Sequence, residues 1–457
     1  MKLETKVTLV YPYFHPKGDN SIFRFPPLGL GYLASFLKQN GVLVDLVDCT
    51  FSSRKDALRK IVESKPAIIG IQSMFSMKQE SLDMARELRK ECNLLVAGGP
   101  LPTTNPEPFL EDFDVVVNGE GEQTMFELVK AYETGSDFSQ VPGIIYRNAK
   151  SKEIERTERR DMIKNLDAIP FPNRDMFDNF GYKEYYRKKS ASTITTIMTS
   201  RGCPYTCDFC SRPIFGNEFR SRTASRIVDE IEEVISLGYE RIWFADDCFT
   251  LIRQRLIEIC DEIIKRKLKI QWECLSRVDT LDPELIKRMK QAGCIRIFFG
   301  IESGDDSILA IMGKNTTARK AADAVRLCNA QDVKVGAFFI LGYPGENDKT
   351  VLNTVKFASS LQLDYLSFTL PFPIPGTPLF EKLKGDIVTD EFAEPKQLKL
   401  IKQKLLFRSH LSESKLKFAI IKGMTQFYIQ KYLGPRMRGI VKPPIELLTD
   451  ALYRLMH

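Results

Sequence analysis

Short apolar runs alternate with helix-like stretches over the first 135 residues of the chain. Runs of three to five apolar residues, many of them β-branched, predict buried strands, and the stretches between them repeat apolar positions with the period of a helix. The predicted strands cover residues 7–10, 43–47, 67–71, 94–97 and 115–117, and the predicted helices cover 30–39, 57–63 and 79–90. This order predicts an α/β fold with a doubly wound parallel sheet, whose ligands bind beyond the carboxyl ends of the strands.

The same alternation restarts near residue 191 and continues to residue 380. Predicted strands lie at 194–198, 241–245, 270–274, 295–299, 336–341 and 365–370, and predicted helices at 225–237, 253–267, 283–292, 317–329 and 349–360. Six successive β/α units predict a second parallel-stranded domain. Its active residues are expected where the strands end.

Two further segments complete the predicted organisation. Residues 141–190 contain many turn signals and little periodicity, which predicts a connector, and their charged stretch 150–160 is expected to be a solvated hairpin. Amphipathic helical periods continue beyond residue 380. The predicted domains are therefore 1–140, 141–190, 191–380 and a helical C-terminal domain at 381–457.

The most specific motif of the chain is a CxxxCxxC run formed by Cys203, Cys207 and Cys210. Three thiolates on one loop suit three irons of a [4Fe–4S] cluster and leave the fourth iron open to a substrate. A structural zinc site would need a fourth Cys or His close by, and the three histidines of the chain lie far from this loop. The last two cysteines alone would indicate a redox CxxC pair, but the third cysteine and the preceding strand favour the cluster.

Composition further limits the class of protein and the cellular location that we expect. Hydrophobic residues make up 43% of the chain and charged residues 27%, as in soluble globular proteins. No apolar run reaches the length of a membrane span and no secretory segment is evident, so we expect a cytoplasmic protein without a transmembrane helix. We expect the ten cysteines to be reduced, and the seven outside the motif to be buried as small hydrophobic residues.

The positive charge is concentrated at the C-terminal end. Residues 381–457 carry 15 Lys or Arg against 8 Asp or Glu, which equals the formal net charge of +7 for the whole chain. Aromatic and basic residues are not interleaved there as in an RNA-binding module. The pattern therefore favours a solvated helical face over a nucleic-acid site, with an acidic partner or an anionic membrane surface as open alternatives.

Glycine-containing turns follow the strands of the first domain and let a flat, bulky ligand or a phosphate approach the backbone. As an ordered set on a five-stranded sheet, these turns resemble those of the cobalamin-binding domain, in which serine and glycine loops line a channel for the nucleotide tail of the cofactor. The residues that the resemblance assigns to cobalamin are Pro27, Leu28, Gly29, Ser73, Gly98, Gly99, Gly119 and Glu120.

One histidine stands where some cobalamin domains carry a cobalt ligand. His15 and Gly18 keep the spacing of the DxHxxG motif, but the aspartate is missing and Pro16 departs from the pattern. Without the carboxylate, nothing fixes the tautomer of the imidazole. A cobalt ligand at His15 is one interpretation, and a loop histidine bonded to backbone is the other; the resemblance implies base-off cobalamin with no protein ligand.

The cysteine motif and the strand ends of the second domain resemble the radical S-adenosylmethionine (SAM) superfamily, which is built on a partial (β/α)6 barrel. The resemblance implies that acidic, serine and glycine residues contact the amino, ribose and adenine groups of SAM, and that a planar guanidinium pairs with its carboxylate. Helix capping is the alternative role for the acidic residues after the second strand and, with more weight, for Glu346. The residues so assigned to SAM are Phe209, Asp246, Asp247, Arg277, Glu302, Ser303 and Gly342.

Both signatures in this order resemble the cobalamin-dependent radical SAM methyltransferases over essentially the whole chain. The resemblance implies three cofactors: a [4Fe–4S] cluster, SAM and cobalamin. It also implies that a 5′-deoxyadenosyl radical from SAM abstracts hydrogen from an unactivated carbon, which then takes a methyl group from methylcobalamin. A low-potential electron donor such as ferredoxin or flavodoxin is the implied partner.

The substrate is less well defined than the reaction. A peptide side chain is the first prediction, specifically a glutamine of methyl-coenzyme M reductase in a methanogen. Methylation of a lipid or of a natural-product precursor is the alternative within the same reaction class. Ring closure or rearrangement without methyl transfer is a different class, and the intact cysteine motif argues against a non-catalytic cobalamin carrier.

Overall fold

The computed structural model describes residues 3–14, 23–148, 151–211, 214–389 and 403–456. The chain divides into two compact units. The first comprises Met1–Cys203 and Arg212–Arg241, and the second comprises Pro204–Ser211 and Ile242–His457. The four predicted domains differ from this division and stay predictions, and the prediction for His15 lies outside the described residues.

A seven-stranded sheet with the order β2-β1-β3-β4-β5-β6-β7 forms the centre of the first unit. The strands are β1 (Lys6–Tyr11), β2 (Leu43–Asp48), β3 (Ile68–Gln72), β4 (Leu94–Gly98), β5 (Val115–Val117), β6 (Ile144–Arg147) and β7 (Ile154–Arg156). The first five pair in parallel, as predicted, whereas β6 and β7 add an antiparallel hairpin. The sheet therefore continues past residue 140 into the segment predicted to be a connector.

Helices cover the two faces of this sheet. They are α1 (Leu28–Gln39), α2 (Arg54–Glu63), α3 (Lys78–Leu88), α4 (Pro100–Thr104) and α5 (Gly121–Thr134). Two apolar clusters result, because successive strand residues point to opposite faces: Val115 and Val117 belong to one cluster and Val116 to the other. The near-continuous apolar runs of the sequence follow from this burial on both sides.

The rest of the first unit leads to the cysteine motif. It contains α6 (Asn179–Ser190), β8 (Ile194–Ile197), the short pair β9 (Ser200–Arg201) and β10 (Arg220–Ser221), and α7 (Ala224–Ser236). A pair of buried charges ties this region together, since Arg174 donates to Glu230 at 2.5 Å and to the carbonyl of Thr196 at 2.8 Å.

The second unit contains a sheet with the strand order β15-β14-β13-β12-β11. Its strands are β11 (Arg241–Phe244), β12 (Gln271–Ser276), β13 (Cys294–Glu302), β14 (Lys334–Ile340) and β15 (Tyr365–Thr369), and β12 to β15 pair in parallel. The helices that accompany them are α8 (Arg253–Lys265), α9 (Pro283–Gln291), α10 (Asp306–Ile311), α11 (Ala318–Ala330), α12 (Asp348–Ser360) and α13 (Pro378–Leu383). Each of the six strands predicted for the second domain is present, counting β8.

Side-chain caps begin several of these helices. Asp282 accepts from the backbone N–H of Leu285 ahead of Pro283, and Asn347 forms a capping box with Thr350. Two long helices, α14 (Glu413–Tyr432) and α15 (Pro435–Leu455), follow as the predicted helical C-terminal part. Among the described residues, no helix combines the length and the apolar character needed to cross a membrane.

Candidate functional site

The segment before Cys203 is held by a tight turn in the first unit. Arg201 pairs with Arg220 across β9 and β10, and Gly202 adopts a left-handed conformation with φ +83°. A Cβ atom at Gly202 would overlap the carbonyl oxygen of Glu218. Only glycine fits this turn, which fixes the direction in which the chain enters the cysteine motif.

Two arginines and two glutamates form a buried network beside this turn. Arg201 donates to Glu120 at 2.8 Å and to Glu122 at 2.6 Å, and Arg220 donates to Glu120 at 3.0 Å. Burial would raise the pKa of Glu122, but the charge and hydrogen bond of Arg201 lower it below its ordinary value. The carboxylate of Glu120, which the resemblance assigns to cobalamin, thus accepts hydrogen bonds from two guanidinium groups.

The other two cysteines lie in the second unit, on a loop fastened at both sides. The N–H of Asp208 donates to the carbonyl of Met312 at 3.0 Å, and the N–H of Leu379 donates to the carbonyl of Asp208 at 3.1 Å. Cys207 is buried and Cys210 is half-buried. The backbone of Asp208 therefore anchors the loop between the two thiols.

A buried lysine is the main feature that sequence reasoning missed. Lys314 Nζ donates to Glu302 Oε1 at 3.0 Å, with each side chain 10% exposed. Burial works to lower the pKa of Lys314, but attraction to the Glu302 carboxylate and to the thiolate of Cys207 raises it above its ordinary value. Lys314 thus places a buried positive charge close to Cys207 on the cysteine loop.

Arg277 lies next to this pair at the end of β12. Its guanidinium makes two hydrogen bonds to Asp279, at 2.9 and 2.8 Å, and a third to the carbonyl of Lys314 at 3.0 Å. Its other side faces Tyr205, with 3.7 Å between Cζ and the ring centroid. Arg277, Glu302 and Lys314 thus form a connected group near Cys207, which we call the strand-end cluster.

The backbone at Glu302 is strained in a way that suits a ligand site. Glu302 has φ +70°, and the register of β13 against β14 shifts between Gly300 and Glu302. A Cβ atom at Gly300 would meet the Glu302 carboxylate and would come within 3.2 Å of Lys314 Nζ. A bulge with a left-handed, non-glycine residue re-aims a side chain at a local energetic cost and is common at functional sites.

The remaining residues assigned to SAM are in more varied surroundings. Asp246 is buried 3.8 Å from Arg255, whereas Asp247 is exposed. The hydroxyl of Ser303 lies 2.9 Å from that of Thr354 and accepts from the N–H of Asp305 at 3.1 Å, so it orders the start of α10. The ring of Phe209 lies 6.0 Å from Lys314 Nζ and packs edge-on against Tyr343.

Gly342 and Glu346 form a closed turn after β14. Gly342 has φ +90°, and the Glu346 carboxylate accepts from its N–H at 2.6 Å and from that of Tyr343 at 3.0 Å. Burial raises the pKa of Glu346 to about 7, although the two backbone donors act to lower it. Glu346 thus supports the loop that carries Gly342.

In the first unit, the turns assigned to cobalamin meet at the carboxyl edge of the sheet. The N–H of Ser73 donates to the carbonyl of Gly98 at 2.8 Å, and the N–H of Gly119 donates to Thr103 Oγ1 at 3.2 Å. Gly99, with φ +103°, has no room for a Cβ atom beside the carbonyl of Ser73.

Open space lies beside two of the glycines at this edge. Pro27 and Leu28 are buried at the start of α1, next to the exposed Gly29. A Cβ atom at Gly29 or at Gly119 would meet nothing within 4 Å. These glycines leave a backbone surface that fits close approach by a large, flat cofactor.

The convergence of the three motif cysteines stays a prediction. The described residues contain no group of three or more His, Cys, Asp or Glu side chains arranged to hold a metal ion. Five of the other cysteines, Cys248, Cys260, Cys274, Cys294 and Cys328, are buried in the second unit. Burial raises the pKa of Cys260 and of Cys274, as expected for inert thiols in an apolar core.

Comparisons with known proteins match both halves of the chain. The Radical SAM superfamily matches residues 197–358, and the B12 binding domain matches residues 18–129. An uncharacterized methyltransferase of Pyrococcus horikoshii is 35% identical over 371 residues, which cover 78% of this chain and 78% of that protein. The anaerobic magnesium-protoporphyrin IX monomethyl ester cyclase of Cereibacter sphaeroides is 30% identical over 447 residues, which cover 94% of this chain and 71% of the cyclase.

Solved structures share the fold. The radical S-adenosylmethionine methyltransferase TsrM of Kitasatospora setae, with cobalamin and a [4Fe–4S] cluster bound, aligns with a TM-score of 0.70 and 22% identity over 84% of this chain and 75% of TsrM. The cobalamin-dependent radical enzyme OxsB, with aqua-cobalamin and S-adenosylmethionine bound, aligns with a TM-score of 0.75 and 21% identity over 98% of this chain and 72% of OxsB. On the strength of both domain matches and of relatives that cover most of its length, the chain belongs to the cobalamin-dependent radical SAM enzymes, whose cofactors are a [4Fe–4S] cluster, SAM and cobalamin.

Proposed function

We propose that this protein is a C-methyltransferase that methylates an unactivated carbon, using one SAM molecule as radical source and a second as methyl donor. The observation that carries the proposal is the strand-end cluster beside Cys207, on a chain that also has glycine turns open to a flat cofactor. The 35% identity to a protein described as a methyltransferase supports the same reaction class.

The residues assigned above have distinct tasks in this proposal. Cys203, Cys207 and Cys210 would hold the cluster, and the turns around Ser73, Gly98, Gly99 and Gly119 would hold cobalamin. When bound, these cofactors supply the electron, the hydrogen-abstracting radical and the methyl group. A low-potential donor such as ferredoxin or flavodoxin would supply the electron to the cluster.

The strand-end cluster would bind and orient SAM. Asp279 accepts from Arg277 Nε and Nη2 and so fixes the orientation of the guanidinium, which would pair with the carboxylate of SAM. Glu302 offers a carboxylate to an amino group, and the bond from Lys314 holds that carboxylate in place beside the cysteine loop. Fixed charges in a buried site need no reorganisation when a charged ligand arrives.

A more specific part of the proposal concerns the molecule that accepts the methyl group. A peptide side chain, with a glutamine of methyl-coenzyme M reductase as first candidate, is the acceptor we propose from the family resemblance. A lipid or natural-product precursor would use the same residues and the same by-products.

Ring closure without methyl transfer is the second candidate function. One observation favours it: the relative that is 30% identical over 94% of this chain is a cyclase. The two reactions differ in how they consume SAM. A methyltransferase must release S-adenosylhomocysteine, because the methyl group of the SAM that is cleaved to the radical leaves with methionine.

By-product stoichiometry therefore tests the proposal. The anaerobically reconstituted enzyme would be incubated with SAM carrying a deuterated methyl group, a low-potential reductant, and protein and lipid extracts of the native host. We expect S-adenosylhomocysteine and 5′-deoxyadenosine to accumulate together with a deuterium-labelled product, and all three to disappear in Cys207→Ala. If an unlabelled product forms with 5′-deoxyadenosine and without S-adenosylhomocysteine, the methyl-transfer proposal is wrong and the cyclase reaction takes its place. The assignments of both cofactors would stand in that case.

A further inference from the structure

The hairpin of α14 and α15 exposes nine large hydrophobic side chains. Ile440, Leu447 and Leu455 are 69%, 72% and 74% exposed. Exposed apolar side chains that are grouped on one element, unlike single scattered ones, are typical of an interaction site. We call this set the hairpin surface; it consists of Ile421, Tyr428, Tyr432, Met437, Ile440, Leu447, Leu448, Leu452 and Leu455.

The opposite, polar side of α15 is the one that packs against the protein. Lys422 of α14 is buried and bonds to Asp450 at 2.7 Å and to Thr449 at 2.9 Å. The buried hydroxyl of Tyr453 reaches Asp348 at 3.4 Å. A helix on a protein surface usually buries its apolar face, so this inverted orientation indicates that an apolar environment receives the other face.

The charges beside the hairpin surface are cationic. Arg436 and Arg454 are the exposed charged residues of α15 in the described part of the chain, and they stand near its two ends. The acidic residues of the helix, Glu446 and Asp450, are partly buried, and Asp450 is paired with Lys422. The exposed face thus combines apolar side chains with arginines and presents no exposed carboxylate.

One end of the surface carries aromatic residues next to a lysine. Tyr428 and Tyr432 stack with 6.0 Å between ring centroids, and Lys431 Nζ lies 5.4 Å from the ring of Tyr432. Tyrosine and basic side chains are the residues that favour the boundary between lipid headgroups and acyl chains. The composition of the surface is that of a helix lying in a membrane interface, with the apolar face toward the acyl chains.

A second copy of the chain suits this surface less well. Antiparallel pairing of two α15 helices would bring Arg436 of one copy toward Arg454 of the other, so that cations would face cations at both ends of the contact. An anionic surface complements both arginines at once.

We propose that the hairpin surface docks on an anionic lipid bilayer, with α15 lying in the plane of the interface. The apolar residues supply affinity by leaving water, and Arg436 and Arg454 supply the preference for negatively charged lipid. This docking is independent of the proposed reaction, because no residue of the strand-end cluster takes part in it.

Sedimentation with vesicles tests the proposal on the full-length holoprotein. We expect binding to vesicles of phosphatidylcholine with phosphatidylglycerol, weaker binding to phosphatidylcholine alone, and weaker binding at high salt. The double variant Leu447→Glu/Leu448→Glu should bind anionic vesicles roughly tenfold less or worse, since both side chains would enter the interface charged. Arg436→Gln/Arg454→Gln should lose the preference for anionic lipid while keeping binding to neutral vesicles.

A matched control is available in the first unit. Leu43 and Val62 are also exposed apolar residues, 45% and 40% exposed, so Leu43→Glu/Val62→Glu should bind vesicles as the wild type does. An unchanged melting temperature and cobalamin spectrum would show that the variants are folded.

Equal vesicle binding by Leu447→Glu/Leu448→Glu and the wild type would overturn the proposal, as would a failure of the wild type to bind. A lipid-free dimer that this variant dissociates would also overturn it and would assign the surface to a second copy.

Discussion

Lys314 shows how one residue can organise a site. It is a buried cation that bonds to Glu302, receives a bond from Arg277 at its carbonyl, and lies close enough to Cys207 for the thiolate to raise its pKa. Gly313, which precedes it, has φ +65°, and a Cβ atom there would lie 3.0 Å from the carbonyl of Thr206. The turn at Gly313 thus brings the lysine and the cysteine loop together.

Replacing Lys314 should show how strongly the buried, unpaired carboxylate of Glu302 destabilises the protein. We expect Lys314→Met to lower the free energy of unfolding by about 3–5 kcal/mol, because Glu302 would be left charged and unpaired. Formation of 5′-deoxyadenosine should fall together with stability. Urea unfolding under anaerobic conditions and product analysis would measure the two effects.

A second variant separates the two contributions. Lys314→Met/Glu302→Gln removes the uncompensated charge and should regain most of the stability without regaining SAM cleavage. Lys382→Met is the matched control, because Lys382 pairs with Asp208 on the same loop but is exposed, so its loss should cost about 1 kcal/mol or less. Normal 5′-deoxyadenosine formation in the double variant would show that the buried pair has only a structural role.

At the scale of elements, short turns decide where the chemical groups lie. The pair β9 and β10 is only two residues long on each side, yet Gly202 within its connection sets the chain direction at Cys203. Gly216 in the same connection also has a positive φ, of 76°, but a Cβ atom there would find only ordinary contacts with Met162. Alanine at Gly216 would therefore meet backbone strain alone, whereas alanine at Gly202 would meet the same strain and a steric overlap.

Gly202→Ala should reduce iron binding without changing a cysteine. A left-handed alanine costs about 1–2 kcal/mol, and the overlap with the carbonyl of Glu218 adds backbone displacement to that strain. Gly216→Ala has the strain without the overlap and should keep nearly normal iron content. Iron analysis after anaerobic reconstitution would compare them, and equal iron content in Gly202→Ala and the wild type would refute this account of the turn.

The helices and strands were easier to predict from the sequence than the contacts between residues at the ends of these elements. The pattern of apolar residues predicted every strand of both parallel regions, because burial on both faces leaves a continuous apolar signal. A solvated hairpin was expected at 150–160, but the pattern did not predict that β6 and β7 extend the sheet, because Ile154 is exposed and the apolar signal is weak. The strand predicted at 295–299 ended before β13 does, because the bulge at Glu302 has no sequence signature.

The site was predictable only where a motif fixes its geometry. Spacing indicated the cysteine motif, and resemblance indicated Arg277 and Glu302, whose contacts with SAM stay predictions. Lys314 and Arg201 were missed because their partners are distant in sequence, and a basic residue in a loop normally predicts exposure. A glycine directly before Lys314 and directly after Arg201 was the available signal, since both glycines adopt positive φ.

At the scale of the whole molecule, each unit has a core of its own. The first unit buries Val115, Val116 and Val117 within two clusters on opposite faces of its sheet. In the second unit, Met312 and Tyr343 belong to a separate cluster, against which Phe209 packs. Two cores predict that loss of one cofactor need not unfold the region that binds the other.

The double variant Cys207→Ala/Cys210→Ala tests this independence in the full chain. It should lose its iron and form no 5′-deoxyadenosine, because both changed residues are thiol ligands of the proposed cluster. It should still bind cobalamin with an unchanged absorption spectrum, because the glycine turns that we assign to the cofactor belong to the first unit. Iron analysis and visible absorption on one anaerobic preparation would measure both. Cys328→Ala, a buried thiol of the second unit outside the motif, should keep both cofactors. Loss of cobalamin together with iron in the motif variant, but not in Cys328→Ala, would mean that cobalamin binding requires the cluster.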